Sequence, residues 1–384
     1  MTVNELLGFI PNEIFQRLAA ETRVDNQVKK LSGELMFKLI LFSMLNSDKV
    51  SLRVMETYLH SAQFKFFTGY DILDSRYNSI RDRICTIESE YFERLFTEVF
   101  AIYNKVLKEQ TALCRVDSTM VSVAARLFTG GITNNSKTTR FLKYGINLKG
   151  SLPCSVKIFK DPCYASDDRA LAEVVHADHL IEGNVVVFDR GLRSRTALDQ
   201  MSADSKFFIT RGYQAIRLQP KKSIAIPDKP LQGTLTIDSD EIGFLINKND
   251  HLTKHTYRII KGTIDKTGEP ICFVTNMTTE DCYTIALLYK QRWEIEVFFK
   301  FLKQHLNVNH LVSRTENGMK VMIYMTMILA ILILTYKKLN NIKGYKLAKL
   351  RFEIELDNEM IRTIVIFCGG NPDKAAHIFK SRSG

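Results

Sequence analysis

The run Asn184-Val185-Val186-Val187-Phe188-Asp189 constrains this chain more than any other. Consecutive apolar β-formers leave no polar face, so the run reads as a strand buried on both sides that ends in an acid. Ala112-Leu113-Cys114-Arg115-Val116-Asp117 reads as a second strand with the same ending. Tyr144 to Lys149 and Cys154 to Phe159 read as two more strands, joined through Gly150 to Pro153 as a hairpin. Asp167 to Leu180 and Ser194 to Met201 have helical spacing, and Lys206 to Thr210 reads as another strand. Strand, strand, strand, helix, strand, helix, strand is the order of a mixed α/β sheet.

Three other textures flank that alternation. Residues 1–110 are helical: Asn12 to Leu18, Gly33 to Leu45 and Glu88 to Leu107 have apolar residues at helical spacing, and Ser75 is placed to cap a helix carrying Ile80 and Ile84. Residues 213–278 hold short β-like runs between Gly, Asp, Asn and Lys turns and read as a β-rich insertion. Helical pattern resumes at Thr279. Val321 to Leu334 is uncharged and strongly apolar, but it stops short of the roughly 20 residues of a membrane span and reads as a core helix. The expected division is a helical domain at 1–110, an α/β core at 111–212 and 279–340, the β-rich insertion at 213–278 and a helical tail at 341–384.

Composition narrows the class. Hydrophobic residues make up 45% and charged residues 25%, which excludes a disordered chain. Seven scattered cysteines form no CxxC pair, so neither a disulfide framework nor a zinc site is expected, and a reducing compartment fits. The N-terminus lacks the basic-then-apolar pattern of a secretory signal. The net charge is +11 and it is unevenly placed. Residues 1–110 hold 14 basic and 15 acidic side chains, so the whole excess falls after residue 110. A polyanionic partner is thereby plausible for the later part of the chain.

The chemistry gathers on the segment from Asp281 to about Leu306, read as one helix. At about 100° per residue, Tyr289, Arg292, Glu296 and Lys303 share an arc of roughly 60°, with Lys300 beside them. Glu294 faces away, so the geometry selects Glu296 as the acid. As an isolated feature this is a solvated face with helical ion pairs. Asp117 and Asp189, each at the end of a strand in one sheet, change that weighting. Three carboxylates converging from two strands and a helix would bind hard cations such as Mg²⁺ or Mn²⁺, and the adjacent cations would hold phosphates. The combination describes two-metal phosphodiester chemistry. His176-Ala177-Asp178-His179, His251 and His255 carry no comparable pattern and read as solvated or capping groups, as does the basic sequence from Lys343 to Arg351.

Tyr289-Lys290-Gln291-Arg292-Trp293-Glu294-Ile295-Glu296-Val297-Phe298-Phe299-Lys300-Phe301-Leu302-Lys303 fits a Y-x2-R-x3-E-x6-K signature at every fixed position. It resembles the DDE transposases of the insertion sequence four family. Val116-Asp117-Ser118-Thr119 is similar to their first acidic motif and Val187-Phe188-Asp189-Arg190-Gly191 to their second, with Leu192 where an aromatic residue is usual. Thr275-Asn276, Lys303-Gln304-His305-Leu306, Asn4-Glu5-Leu6-Leu7 and Lys29-Lys30-Leu31-Ser32 extend the resemblance over nearly the whole chain.

The resemblance implies a ribonuclease H-like core with its β-rich insertion between the second Asp and the Glu. It implies that Asp117, Asp189 and Glu296 bind two Mg²⁺ or Mn²⁺ ions, and that Tyr289, Arg292, Lys303, Lys300 and Arg190 contact DNA. The reaction implied is hydrolysis at the element's ends followed by attack of the freed 3′-hydroxyl on target DNA. The implied partners are terminal inverted repeats, target DNA and a second copy of the chain, in the bacterial cytoplasm at the nucleoid, with no membrane. Several relatives hold a flipped base against an aromatic residue of the insertion, where this chain offers Tyr213, Phe244, Tyr257 and Phe273. The competing expectations are a ribonuclease H-like nuclease without strand transfer and a non-catalytic DNA-binding protein derived from a transposase.

Overall fold

The computed structural model describes residues 1–69, 74–109, 111–124, 132–133, 139–176, 180, 183–228, 235–247, 249–308 and 311–375. The chain divides into two compact units. One contains residues 1–109, 123–129 and 300–384, and the other residues 110–122 and 130–299.

The first unit is helical. It holds α1 (Val3–Leu7), α2 (Asn12–Thr22), α3 (Gly33–Asn46), α4 (Leu52–Leu59), α5 (Ala62–Thr68), α6 (Tyr77–Thr86) and α7 (Ser89–Leu107). Side-chain oxygens of Thr2, Ser32, Ser51 and Ser61 cap α1, α3, α4 and α5, which is why short polar joints suffice between them. Ser75 does not cap α6: Arg76 holds the cap position without a side-chain bond, and the Ser75 hydroxyl is buried with no partner among the described residues. Ile80 and Ile84 are buried as their spacing requires.

The second unit is one sheet with helices on both faces. In chain order its elements are β1 (Leu113–Ala124), β2 (Ile132–Thr133), β3 (Thr139–Lys149), β4 (Leu152–Phe159), α8 (Asp167–Val175), β5 (Val185–Phe188), α9 (Arg195–Ala203), β6 (Phe207–Arg211), β7 (Leu218–Ser223), β8 (Thr236–Ile246), β9 (Leu252–Thr263), β10 (Pro270–Thr275) and α10 (Cys282–Lys290). The strand order is β2-β3-β1-β5-β6-β10-β9-β8-β7, with β4 also on β3. β3 and β4 are antiparallel, whereas β1, β5 and β6 are parallel neighbours. This is the ribonuclease H-like arrangement. The segment 213–278 is β-rich, and its strands continue the core sheet instead of forming a separate one, because β10 pairs antiparallel with β6 and carries β9, β8 and β7.

Side-chain alternation explains the apolar run of β5. Val186 and Phe188 pack with Leu171, Val174, Leu198 and Met201 of α8 and α9. Val187 packs on the other face with Cys282 and Ile285 of α10. A strand covered on both faces has no place for a polar residue until its end.

The chain continues into α11 (Trp293–His305), α12 (Glu316–Leu339) and α13 (Tyr345–Phe367). The apolar run lies in α12, whose residues from Val321 to Tyr336 are all buried, so it is a core helix of the first unit.

Candidate active site

The parallel register pairs Leu113 with Val185 and ends at Val116 with Phe188. One residue further along each strand stand Asp117 and Asp189. The two acids therefore sit side by side, on the face that alternation assigns to Leu113, Val187 and α10. Asp117 does not end its strand, since β1 runs on to Ala124; it lies just past the last residue paired with β5. Asp189 opens the turn after β5. Gly191 in that turn is closely packed: a Cβ there would meet Leu171 Cδ1 at 3.0 Å and Asp167 Cβ at 3.1 Å, so both side chains would have to give way.

Burial pushes the Asp117 carboxyl up to about 6, and the neighbouring charges of Asp189 and Asp167 push the same way. The Ser118 amide and Arg292 oppose the shift without cancelling it. Asp167 is held by Lys143, whose Nζ donates at 2.5 Å, and accepts from Ser118 Oγ at 3.2 Å.

The helix expected from Asp281 to Leu306 is broken. α10 ends at Lys290, Gln291 and Arg292 form a turn, and α11 starts at Trp293. The amides of Gln291, Arg292, Glu294 and Ile295 bond three residues back, which tightens the path. Arg115 explains the break. Its Nε donates to the Gln291 carbonyl at 2.8 Å, Nη1 to the Gly150 carbonyl at 2.7 Å, and Nη2 to Gln291 Oε1 at 3.1 Å. Nη2 also pairs with Glu294 at 3.0 Å. One buried guanidinium thus ties the turn to β1 and to the β3–β4 hairpin.

Beyond the break, Arg292 Nη2 donates to Glu296 Oε1 at 2.5 Å, and its guanidinium lies 5.8 Å from the Tyr289 ring centre. Burial acts to lower the Arg292 guanidinium, but Tyr289, Glu296 and Asp189 together hold it above its ordinary value. Burial also raises the Tyr289 phenol. Asp117, Asp189, Tyr289, Arg292 and Glu296 accordingly form one electrostatic group, with Arg292 acting on each of the others. A single helical wheel does not describe the segment, although Glu294 does point elsewhere, to Arg115. Lys300 and Lys303 are exposed on the second half of α11, which belongs to the first unit.

Arg190 leads to a different feature. It lies 5.6 Å from the ring centre of Tyr213, and Arg193 lies 5.5 Å from the same ring. Both line an open cavity of about 870 Å³ together with Arg195, Arg211 and Arg217. Arg217 pairs with Asp250 at 2.7 Å. Among the described residues the other four arginines have no carboxylate partner, and burial lowers the Arg195 guanidinium. Of the four aromatic residues expected for the β-rich segment, Tyr257 and Phe273 are core, and Phe244 is half-buried under Lys221. Tyr213 is the exposed one.

The sequence reading missed Arg115, Asp167 with Lys143, and the arginine cavity. Charged residues inside apolar strands, Arg115 in β1 and Lys143 in β3, were the available signal. The pair His176 to His179 falls largely on 177–179, outside the described residues.

The donor set fits a hard divalent cation. Asp117 and Asp189 offer only oxygen, and burial, with a smaller push from the charge of Asp189, holds on Asp117 a proton that a cation would displace. Glu296 is turned to Arg292, and among the described residues no three acids, histidines or cysteines form a ready-made cage.

A ribonuclease H-like sheet with two acids side by side, just past the register that its parallel strands share, defines a class of nucleic-acid-processing chains. Comparison with known proteins gives the family. The model described as "Transposase DDE domain" matches residues 111–333, more than half of the chain. The chain belongs to the DDE transposase family. A domain of unknown function (DUF4372) matches residues 2–67. A probable transposase for insertion sequence element IS5377 of Geobacillus stearothermophilus is 32% identical over 150 residues, covering 39% of this chain and 38% of that protein. A putative transposase for insertion sequence element IS4SA of Synechocystis is 28% identical over 227 residues, 57% of this chain and 58% of that protein. The chain therefore spans only about 38% to 58% of the length of these relatives. Among solved structures, a cryo-EM structure of the piggyBac transposase synaptic complex with hairpin DNA is 10% identical, with a TM-score of 0.43, over 93% of this chain and 80% of that one.

Proposed function

We propose that this chain is a DNA transposase that cleaves the ends of an insertion sequence by metal-dependent hydrolysis and joins the freed 3′-hydroxyl to target DNA. The observation that carries this reading is the juxtaposition of Asp117 and Asp189 in register, with Arg292 and Glu296 brought into the same electrostatic group. Asp117, Asp189 and Glu296 would hold two Mg²⁺ or Mn²⁺ ions. When bound, the ions lower the charge barrier to attack on a phosphodiester and stabilise the departing oxygen.

The chain's own residues supply the rest. Arg292 holds Glu296 in place and balances the charge of the acids until DNA arrives. Tyr289 and Arg292 would hold the strand near the scissile phosphate, with Lys300 and Lys303 as further phosphate contacts. The arginine cavity beside Asp189 would take the backbone of the element's end, and Tyr213 between Arg190 and Arg193 offers a face for an unpaired base. The substrates proposed are terminal inverted repeats and target DNA, bound by a homodimer in the bacterial cytoplasm at the nucleoid.

The test is incubation of the protein with DNA carrying the repeats that flank its gene, plus Mg²⁺. Cleavage at the repeat ends with joining to a target plasmid is the expected result. Cleavage without joining moves the assignment to a nuclease. Binding without cleavage moves it to a DNA-binding protein.

A further inference from the structure

We infer that Ser118, anchored by the Lys143–Asp167 pair, is a positioning residue that fixes the Asp117 carboxylate for the ions. The inference rests on the proposed reading of Asp117 as a metal ligand. Asp117 lies on the α10 face of the sheet, so Ser118, one residue further along β1, turns to the α8 face. The Ser118 amide donates to Asp117 Oδ1 at 2.7 Å, and the Ser118 hydroxyl donates to Asp167 Oδ1 at 3.2 Å. One residue therefore grips the acid through its backbone and is itself gripped from the far face.

Burial sets the anchor. Gly145 of β3 faces α8, where a Cβ would meet Val174 Cγ2 at 2.2 Å, and Lys143, two residues earlier, shares that face. The Lys143 side chain is 1% exposed and that of Asp167 63%, so the lysine is fixed by packing and in turn fixes the carboxylate. Its Nζ donates to Asp167 Oδ1 at 2.5 Å and to the Ala165 carbonyl at 3.1 Å. A buried ammonium that loses such partners is left as an uncompensated charge, which holds it to them. The same ammonium opposes a metal ion at Asp167, which makes that acid an anchor and not a further ligand. The next residue, Asp168, accepts at Oδ1 from the amides of Arg193 at 2.5 Å and Ser194 at 2.9 Å. The start of α8 thus holds both the strand that carries Asp117 and the turn that follows Asp189. Groups behind a metal ligand orient it, and losing one lowers metal affinity or activity about 10- to 100-fold.

Two measurements on the full chain test this: Mn²⁺ titration without DNA, read by the electron paramagnetic resonance of free Mn²⁺, and single-turnover cleavage at saturating repeat-bearing DNA. Ser118→Ala is expected to weaken Mn²⁺ binding and to slow cleavage about tenfold or more, with DNA affinity and metal-free melting temperature close to the parent's. Ser118→Thr keeps the hydroxyl and should recover both. Asp167→Ala alone would strand the Lys143 charge, so the pair is removed together in Lys143→Met/Asp167→Ala, with the same losses expected. Adding Ser118→Ala to that double variant should cost nothing more, because both changes cut one chain of bonds. Parental Mn²⁺ affinity and cleavage rate in Ser118→Ala, or losses that multiply in the combined variant, overturn the proposal. Cleavage by the parent protein tests the transposase reading, whereas the ratio of variant to parent tests the positioning role.

Discussion

Arg115 Nε donates to the carbonyl of Gln291, 176 residues later in the chain, at the point where α10 gives way to α11. The bond spends the guanidinium of a strand residue on the helix break that delivers Arg292 and Glu296. Arg115→Ala leaves the Gln291 and Gly150 carbonyls without this donor and Glu294 without its cation, at about 1 kcal/mol for each bond lost. A loss on the order of 3 kcal/mol is expected in urea unfolding. Arg115→Lys keeps the charge but cannot reach Gly150 and Gln291 together, so its loss should be smaller but clear. An unfolding midpoint unchanged in Arg115→Ala would show that the break forms without it.

The acids should separate cleanly by position. Asp189→Asn and Glu296→Gln are expected to lower end cleavage about a thousandfold or more while DNA binding is kept, as befits groups that would hold the ions. Glu294→Gln, facing Arg115 at the surface, should stay within about threefold of the parent. Cleavage assays on the four proteins, with filter binding as the control, decide the matter. Activity that survives Glu296→Gln but not Glu294→Gln would reverse the assignment.

Asp117, Asp189 and Glu296 could be named as candidates because the fixed spacing from Tyr289 to Lys303 and two acid-terminated apolar runs are local patterns. The unbroken apolar run of β5 likewise announced a sheet covered on both faces. The break at Gln291 was not legible. Residues 289–303 hold no Gly or Pro, and their apolar spacing runs on smoothly, so a tertiary bond from Arg115 overrides local preference. The attachment of the β-rich segment was hidden for a similar reason: it depends on pairing Ile209 with Thr275, which no local window contains. The arginine cavity joins residues from 190 to 217 across a turn, a helix and a strand end, and only the fold assembles it.

Asp117 should make the metal-free protein less stable as pH rises. Its folded carboxyl titrates near 6 against an ordinary 3.8, so the folded state holds a proton that the unfolded chain has released between those values. This site's contribution falls as pH rises through about 4 to 6 and stays low above. Asp117→Asn removes that penalty, stabilising the protein at pH 7.5 in EDTA by on the order of 3 kcal/mol while abolishing cleavage. Near pH 4 the two proteins should unfold alike. Equal melting temperatures at pH 7.5 would show that Asp117 is not perturbed in this way.

Salt dependence should localise the DNA contacts. The logarithm of affinity falls with the logarithm of salt in proportion to the phosphates neutralised, so each lost contact lowers the slope by about 1. Arg190, Arg193, Arg195 and Arg211 lack carboxylate partners among the described residues, and a cation already paired has less to offer a phosphate. Arg193→Ala, at the exposed rim beside Tyr213, is expected to lower the slope by about 1 with cleavage chemistry intact at saturating DNA. Arg217→Ala, already paired with Asp250, should change it by less. Titrations with repeat-bearing DNA at several salt concentrations measure both. Identical slopes for Arg193→Ala and the parent would place the bound backbone outside this cavity.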